Sequence, residues 1–135
     1  DEAIVLNRDG YVAEGSGENV FVVMDGKLYT PSLDDGALPG ITRHTVMELA
    51  REELGIEVIE GHITRTQLYT ADETFLTGTA AHVTPMVELD SRPIGDGQVG
   101  PISKALRNLY FLVAAGNHPK YMHWCTPATP KMVPT

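Results

Sequence analysis

YVAEGSGENVF, residues 11–21, is the stretch from which the rest of this chain is best read. It sets two carboxylates, Glu14 and Glu18, four residues apart around a Gly-Ser-Gly kink. The apolar runs on either side, 11–13 and 19–24, read as strands, because β-branched and aromatic side chains suit a pleated surface. Glycine lets the backbone turn sharply and approach a ligand closely. A carboxylate fixed beside such a turn can hold a cationic partner: an arginine, a protonated ring nitrogen or a metal. A solvated strand-to-strand turn uses the same residues, so the surrounding sequence has to decide.

Working outward, AIVL at 3–6 is a strand and NRDG at 7–10 a turn, so the chain opens as a β-meander. After NVFVVM at 19–24, Asp25-Gly26 predicts a type I′ hairpin, whose two central residues both need positive φ. Residues 27–30 close that hairpin. A loop over 31–40 follows, with two prolines and two glycines. A helix is expected over 42–54, where Val46, Leu49, Ala50 and Leu54 form one apolar face. Gly55 stands where a C-cap glycine belongs, and 56–59 alternates like a strand. Thr66 is the expected N-cap of a short helix through Gln67, Leu68 and Tyr69. Strands are expected over 73–77 and 83–89, flanking Gly78-Thr79-Ala80-Ala81, with a turn at Asp90-Ser91-Arg92-Pro93. Pro101 opens a second helix whose apolar face is Ile102, Ala105, Leu106, Leu109 and Val113, and Gly116 ends it. Residues 117–135 read as an irregular tail. Early hairpins followed by strand-helix alternation give an α/β class of the mixed α+β kind, with one domain over 1–116.

A length of 135 residues suits one domain with a real core. The hydrophobic share of 42% and charged share of 21% are ordinary. A net charge of −8, with ten scattered Lys and Arg, argues against a nucleic-acid surface. No apolar run nears the roughly 20 residues of a membrane helix, and no signal-peptide pattern is visible. Cys125, the single cysteine, leaves no internal disulfide and fits a reducing compartment, so a cytoplasmic protein is expected. The start is not a methionine and runs almost at once into a strand, so a longer polypeptide is expected.

Two segments suit an anion. Pro39-Gly40-Ile41-Thr42-Arg43 lies at a loop-to-helix junction, where unpaired N–H groups and the positive end of the helix dipole converge. Thr42 is there either a cap or part of a phosphate cradle. Thr77-Gly78-Thr79-Ala80-Ala81 lies between two strands and can offer N–H groups and a hydroxyl, or be a simple tight turn. The histidines, His44, His62, His82, His118 and His123, show no metal-ligand spacing, and no metal is expected. Ser16 lies outside any G-x-S-x-G elbow. Two anion sites and one carboxylate together suit a phosphorylated, protonated heteroaromatic ligand.

Six motifs stand in sequence order: EGSGENVF (14–21), LPGITR (38–43), LYTADE (68–73), TGTAAHVTP (77–85), GPISK (100–104) and HW (123–124). Together they resemble the cofactor-binding C-terminal half of the fold-type IV aminotransferases, most closely the branched-chain amino acid aminotransferases. The resemblance covers residues 3–124. It implies the D-amino acid aminotransferase-like fold, a mixed sheet or pseudo-barrel with two main helices, and pyridoxal 5′-phosphate as cofactor. It implies that Glu14 pairs with the pyridinium nitrogen, and that Ile41, Thr42 and Thr79 hold the phosphate. Leu38 and Gly40 match positions against the ring and phosphate. The Thr79 and Ala80 amides match donors to the substrate carboxylate, and Glu18 matches a supporting acid.

The implied reaction moves an amino group between leucine, isoleucine or valine and 2-oxoglutarate. Sister enzymes of the fold match less well. D-amino acid aminotransferases typically lack the Gly-Glu-Asn acid and the TGTAA run, and aminodeoxychorismate lyases the GITR segment. The family's Schiff-base lysine lies upstream of the matched segment; Lys27, Lys104, Lys120 and Lys131 match no such position. The family's small N-terminal domain has no counterpart either. The expectation is half of an enzyme, inactive alone and working in a dimer or larger assembly. The alternative class is a non-enzymatic small-ligand module on the same half-fold.

Overall fold

The computed structural model describes residues 1–128. Strand β1 (Ile4–Leu6) pairs antiparallel with β2 (Val12–Gly15) as a hairpin. The main sheet contains β3 (Asn19–Met24), β4 (Lys27–Pro31), β5 (Val58–Gly61), β6 (Glu73–Gly78) and β7 (His82–Met86), in the order β5-β4-β3-β6-β7. Among the described residues only β4 and β5 run parallel, joined across helix α1 (Ile41–Leu54). The remaining helices are α2 (Arg65–Thr70) and α3 (Pro101–Ala114). Strands β8 (Glu88–Leu89) and β9 (Arg92–Pro93) form a second small hairpin. A mixed sheet with two main helices is the class the sequence leads one to expect.

Strand β3 lies between β4 and β6, and both of its faces are covered. Phe21 and Val23 point to one cluster, with Val46, Leu49 and Ala50 of α1 and Leu106 and Val113 of α3. Val20 and Val22 point to the other, with Val12, Ile63, Leu68 and Ile94. A strand buried on both faces reads as a continuous apolar run rather than an alternating one, which is why NVFVVM stands out so clearly. Phe21 and Phe75 face each other across β3 and β6, with ring centroids 5.0 Å apart.

Turn chemistry follows the sequence closely. Asp25 and Gly26 both have positive φ, 51° and 73°, as a type I′ turn requires. Asp90 and Ser91 repeat the geometry at 51° and 62°, so the expected four-residue turn is tighter and Arg92-Pro93 belongs to β9. Gly55 caps α1 in the left-handed conformation, φ 62°.

Five expectations are corrected. The cap of α2 is Thr64, not Thr66: its hydroxyl accepts the Gln67 N–H while the Gln67 side chain accepts the Thr64 N–H. This reciprocal box begins the helix two residues earlier. Helix α1 starts at Ile41 with Gly40 as N-cap, so Thr42 is not the cap. The strand expected over 83–89 breaks into β7 and β8, and the one over 56–59 shifts to Val58–Gly61. Finally, Pro119–Trp124 form a short 3₁₀ segment, where an irregular tail is expected. Tyr121 within it is buried in the α1–α3 core and its hydroxyl donates to Glu53. Residues 129–135, with Lys131, lie outside the described residues.

Candidate functional site

The Gly-Ser-Gly kink, the loop before α1 and the end of β6 meet at one cleft of about 180 Å³. Its lining includes Glu14, Glu18, Leu38, Gly40, Ile41, Thr42 and Thr79, together with Asn19 and Thr77. The topology explains the meeting. Strand β3 follows the kink directly, and β6 pairs with it so that Asn19 faces Thr77. The loop before α1 returns over the same end through Leu38, whose carbonyl accepts the Asn19 side-chain amide at 2.8 Å. Of the sequence-predicted residues, only Ala80 is outside the lining; it occupies the turn just beyond Thr79.

Glu14 is half-buried on β2. Its Oε2 accepts the Leu38 N–H at 3.1 Å. That bond fixes the carboxylate and leaves its other oxygen for a cation. Glu18 folds back against the kink, its Oε2 accepting the Gly17 N–H at 3.3 Å. Burial, and then the neighbouring Glu2 carboxylate, push the Glu18 carboxyl above its ordinary value, outweighing the Gly17 bond. Glu2 is drawn down, chiefly by the Ser16 hydroxyl that donates to it.

Opposite these acids lies the N-terminus of α1. Gly40 has no side chain with which to cap it, and the first helical bond runs from His44 N–H to Gly40 C=O. The N–H groups of Ile41, Thr42 and Arg43 therefore face the cleft end without intrahelical partners, an anion site by geometry. A Cβ on Gly40 would strike the Asn19 side-chain oxygen, so only glycine lets the loop come this close. Thr77 adds a buried hydroxyl with no protein partner in the wall of the cleft.

Leu38 and Ile41 are apolar yet 67% and 86% exposed, both at the cleft. Side chains so placed can cover a flat apolar ring. The combination of one fixed carboxylate, an uncapped helix start, the Thr77 hydroxyl on β6 with Thr79 just beyond it, and two exposed apolar side chains fits pyridoxal 5′-phosphate. A larger groove of about 830 Å³ lies between β1 and the β7–β8 segment, with Glu2, Glu88 and Asp90 on its lining. Arg65 at the start of α2 also lines it, and that helix start is already capped by Thr64.

The amino-transferase class IV family matches residues 1–89. The chain belongs to that family. Among class IV relatives, it is 55% identical over 131 residues to a probable branched-chain-amino-acid aminotransferase of Aquifex aeolicus, covering 97% of this chain and 42% of that protein. The branched-chain-amino-acid aminotransferase of Pseudomonas aeruginosa is 48% identical over 126 residues, covering 93% of this chain and 40% of that protein. The fold agrees with the branched-chain aminotransferase from the thermophilic archaeon Thermoproteus uzoniensis, solved with norvaline. There the TM-score is 0.88 at 50% identity, over 93% of this chain and 41% of that one. The PLP form of the Thermobaculum terrenum enzyme gives a TM-score of 0.93 at 47% identity, over 96% of this chain and 42% of that one. The class IV chain thus spans about two fifths of the length of these relatives.

Asn19 and Thr77 are cleft residues that stood inside the quoted motifs without a role of their own. Asn19 stood inside the quoted EGSGEN, but its contact with Leu38 spans 19 positions and no spacing announces it. Thr77 becomes a wall residue only through the β3–β6 register. No group of three or more His, Cys, Asp or Glu is gathered for a metal among the described residues. No helix there is long and apolar enough to cross a membrane.

Proposed function

We propose that this chain is the cofactor-holding part of a branched-chain amino acid aminotransferase, exchanging the amino group of leucine, isoleucine or valine with 2-oxoglutarate. The observation that carries the reading is the cleft itself, where the fixed Glu14 carboxylate faces an uncapped helix start. Likeness to branched-chain enzymes over nearly the whole chain supports the substrate class. Pyridoxal 5′-phosphate, when bound, supplies a ring that withdraws electrons from the substrate Cα.

The chain's own residues have separate tasks. Glu14 holds the proton on the ring nitrogen. Ile41 and Thr42 N–H groups and the Thr42 and Thr79 hydroxyls bind the phosphate, with Gly40 allowing close approach. Leu38 and Ile41 exclude water from the ring. The Thr79 and Ala80 amides orient the substrate carboxylate, and Glu18 supports the kink. Among the described residues Lys27, Lys104 and Lys120 do not line the cleft, and the family resemblance puts the lysine that carries the cofactor covalently upstream of this segment. The isolated chain is therefore inactive. Borohydride reduction of a mixture with pyridoxal 5′-phosphate, followed by intact-mass measurement, is expected to show no specific adduct; one stoichiometric adduct on a single lysine would sink that point.

The test of the function uses the full-length protein containing this segment. Steady-state transamination with the three branched-chain amino acids and 2-oxoglutarate should far exceed that with D-alanine. Glu14→Ala should lower kcat by about 100-fold or more, the scale of losing a directed electrostatic partner. Preference for D-alanine would move the assignment to the D-amino acid enzymes.

A further inference from the structure

One polar cluster outside the cleft ties three distant parts of the chain together. Asp35 is buried, 4% exposed. The His62 Nδ1 lies 2.8 Å from both of its carboxylate oxygens. The Asn7 side-chain amide donates to the Asp35 carboxylate and carbonyl, both at 3.3 Å. The Tyr11 ring stacks on His62 with centroids 4.3 Å apart. Asn7 Oδ1 in turn accepts the Asp9 and Tyr11 N–H groups, each at 3.0 Å. A buried carboxylate is costly unless paired and hydrogen-bonded, so these partners hold Asp35 in one place.

What they hold is the segment that enters the cleft. Gly36 turns the chain back at φ 98°, and a Cβ there would touch Ala13 of β2. Two residues on, Leu38 donates its N–H to Glu14. The same cluster grips the start of β2, because Tyr11 directly precedes Val12. It therefore fixes the loop relative to the strand that carries Glu14. Neither Asp35 nor His62 lines the cleft.

We propose that Asp35, clamped by His62 and Asn7, is a positioning residue: it sets the Leu38–Glu14 hydrogen bond and so decides which Glu14 oxygen is free for the ring nitrogen. The inference rests on the reading of Glu14 given under Proposed function.

The experiment uses full-length protein, stripped of cofactor and titrated with pyridoxal 5′-phosphate, with the near-ultraviolet dichroism of the bound cofactor as second readout. The His62 side chain is 62% exposed, so His62→Ala leaves the fold standing. His62→Ala and Asp35→Asn are each expected to weaken cofactor binding about tenfold and to change the dichroism band. His62→Gln, which keeps an amide donor, should stay within about twofold of the parent protein. On a Glu14→Gln background, His62→Ala should cost nothing further, since the oriented carboxylate is already gone. Parent-like binding by His62→Ala and Asp35→Asn, or the same tenfold loss with and without Glu14, overturns the proposal. If Glu14→Gln alone changes neither affinity nor dichroism, the reading of Glu14 falls and the inference with it.

Discussion

Single residues decide how close the loop before α1 comes to the sheet. Gly40 and Asn19 are a matched pair: the side-chain amide of Asn19 holds the Leu38 carbonyl, and its oxygen occupies the space a Cβ on Gly40 would need. Asn19 is buried and tethered, so it cannot swing aside. Gly40→Ala should cost about 1–3 kcal/mol in denaturant unfolding. It should also weaken pyridoxal 5′-phosphate binding, because the loop must lift. A different logic applies to Thr74, whose hydroxyl is buried on β6 without a partner. Thr74→Val keeps the shape and removes the unmet donor, so it should raise stability by about 1 kcal/mol in the same assay. Glycines, acids and hydroxyls of the cleft were legible as residue types in EGSGEN, LPGITR and TGTAA. Their partners were not, because Asn19–Leu38 and Leu38–Glu14 depend on chain crossings that no local pattern encodes, and the same holds for His62–Asp35 behind the cleft.

At the level of elements, two motifs with no assigned role turn out to be one device. Glu73, from LYTADE, sends its buried carboxylate to the N–H groups of Ile102 and Ser103, from GPISK. Helix α3 has Gly100 as N-cap and no cap from its own segment, so a strand residue supplies it. A Cβ on Gly100 would collide with that carboxylate. Glu73→Ala and Gly100→Ala should each cost about 1–2 kcal/mol, and the double variant should cost much less than their sum, in urea unfolding. The helix itself was readable from Pro101 and its apolar face; the borrowed cap was not.

The 3₁₀ segment Pro119–Trp124 shows the same limit, since its anchor, Tyr121, bonds to Glu53 across 68 positions. Burial foremost, then the bond to Glu53, hold the Tyr121 hydroxyl above its ordinary 10. That bond foremost also draws Glu53 below its ordinary 4.5. A raised value stabilises below pH 10 and is lost as pH rises through it; a lowered one stabilises above 4.5 and is lost as pH falls. Tyr121→Phe should therefore flatten the fall in thermal midpoint at both the acid and the alkaline end.

For the whole molecule, the class and element order were legible because β3 reads as a continuous apolar run and α1 and α3 as amphipathic helices. What these patterns leave open is how the sheet is ordered, and hence which loops share one end. The surface is the other global property. Val5, Leu6, Leu38, Ile41, Phe111 and Leu112 are all more than a third exposed. Against a net charge of −8, this much apolar surface should still drive the isolated chain to self-associate. Sedimentation velocity should show a concentration-dependent increase above the monomer, growing with added salt as the charges are screened.

Strand β3 sits at the middle of the sheet, bonded on both sides and covered on both faces. Amide protons of 20–23 should accordingly exchange with deuterium only through global opening, while those of Gly36, Ala37, Leu38 and Gly40 exchange through small local fluctuations. One wall of the cleft thus grows from the slowest-exchanging strand and the other from a fast-exchanging loop. Ligand capture would then be recorded as new protection in the loop, the first turn of α1 and the turn after β6, leaving the strand's already maximal protection to report nothing but the stability of the fold.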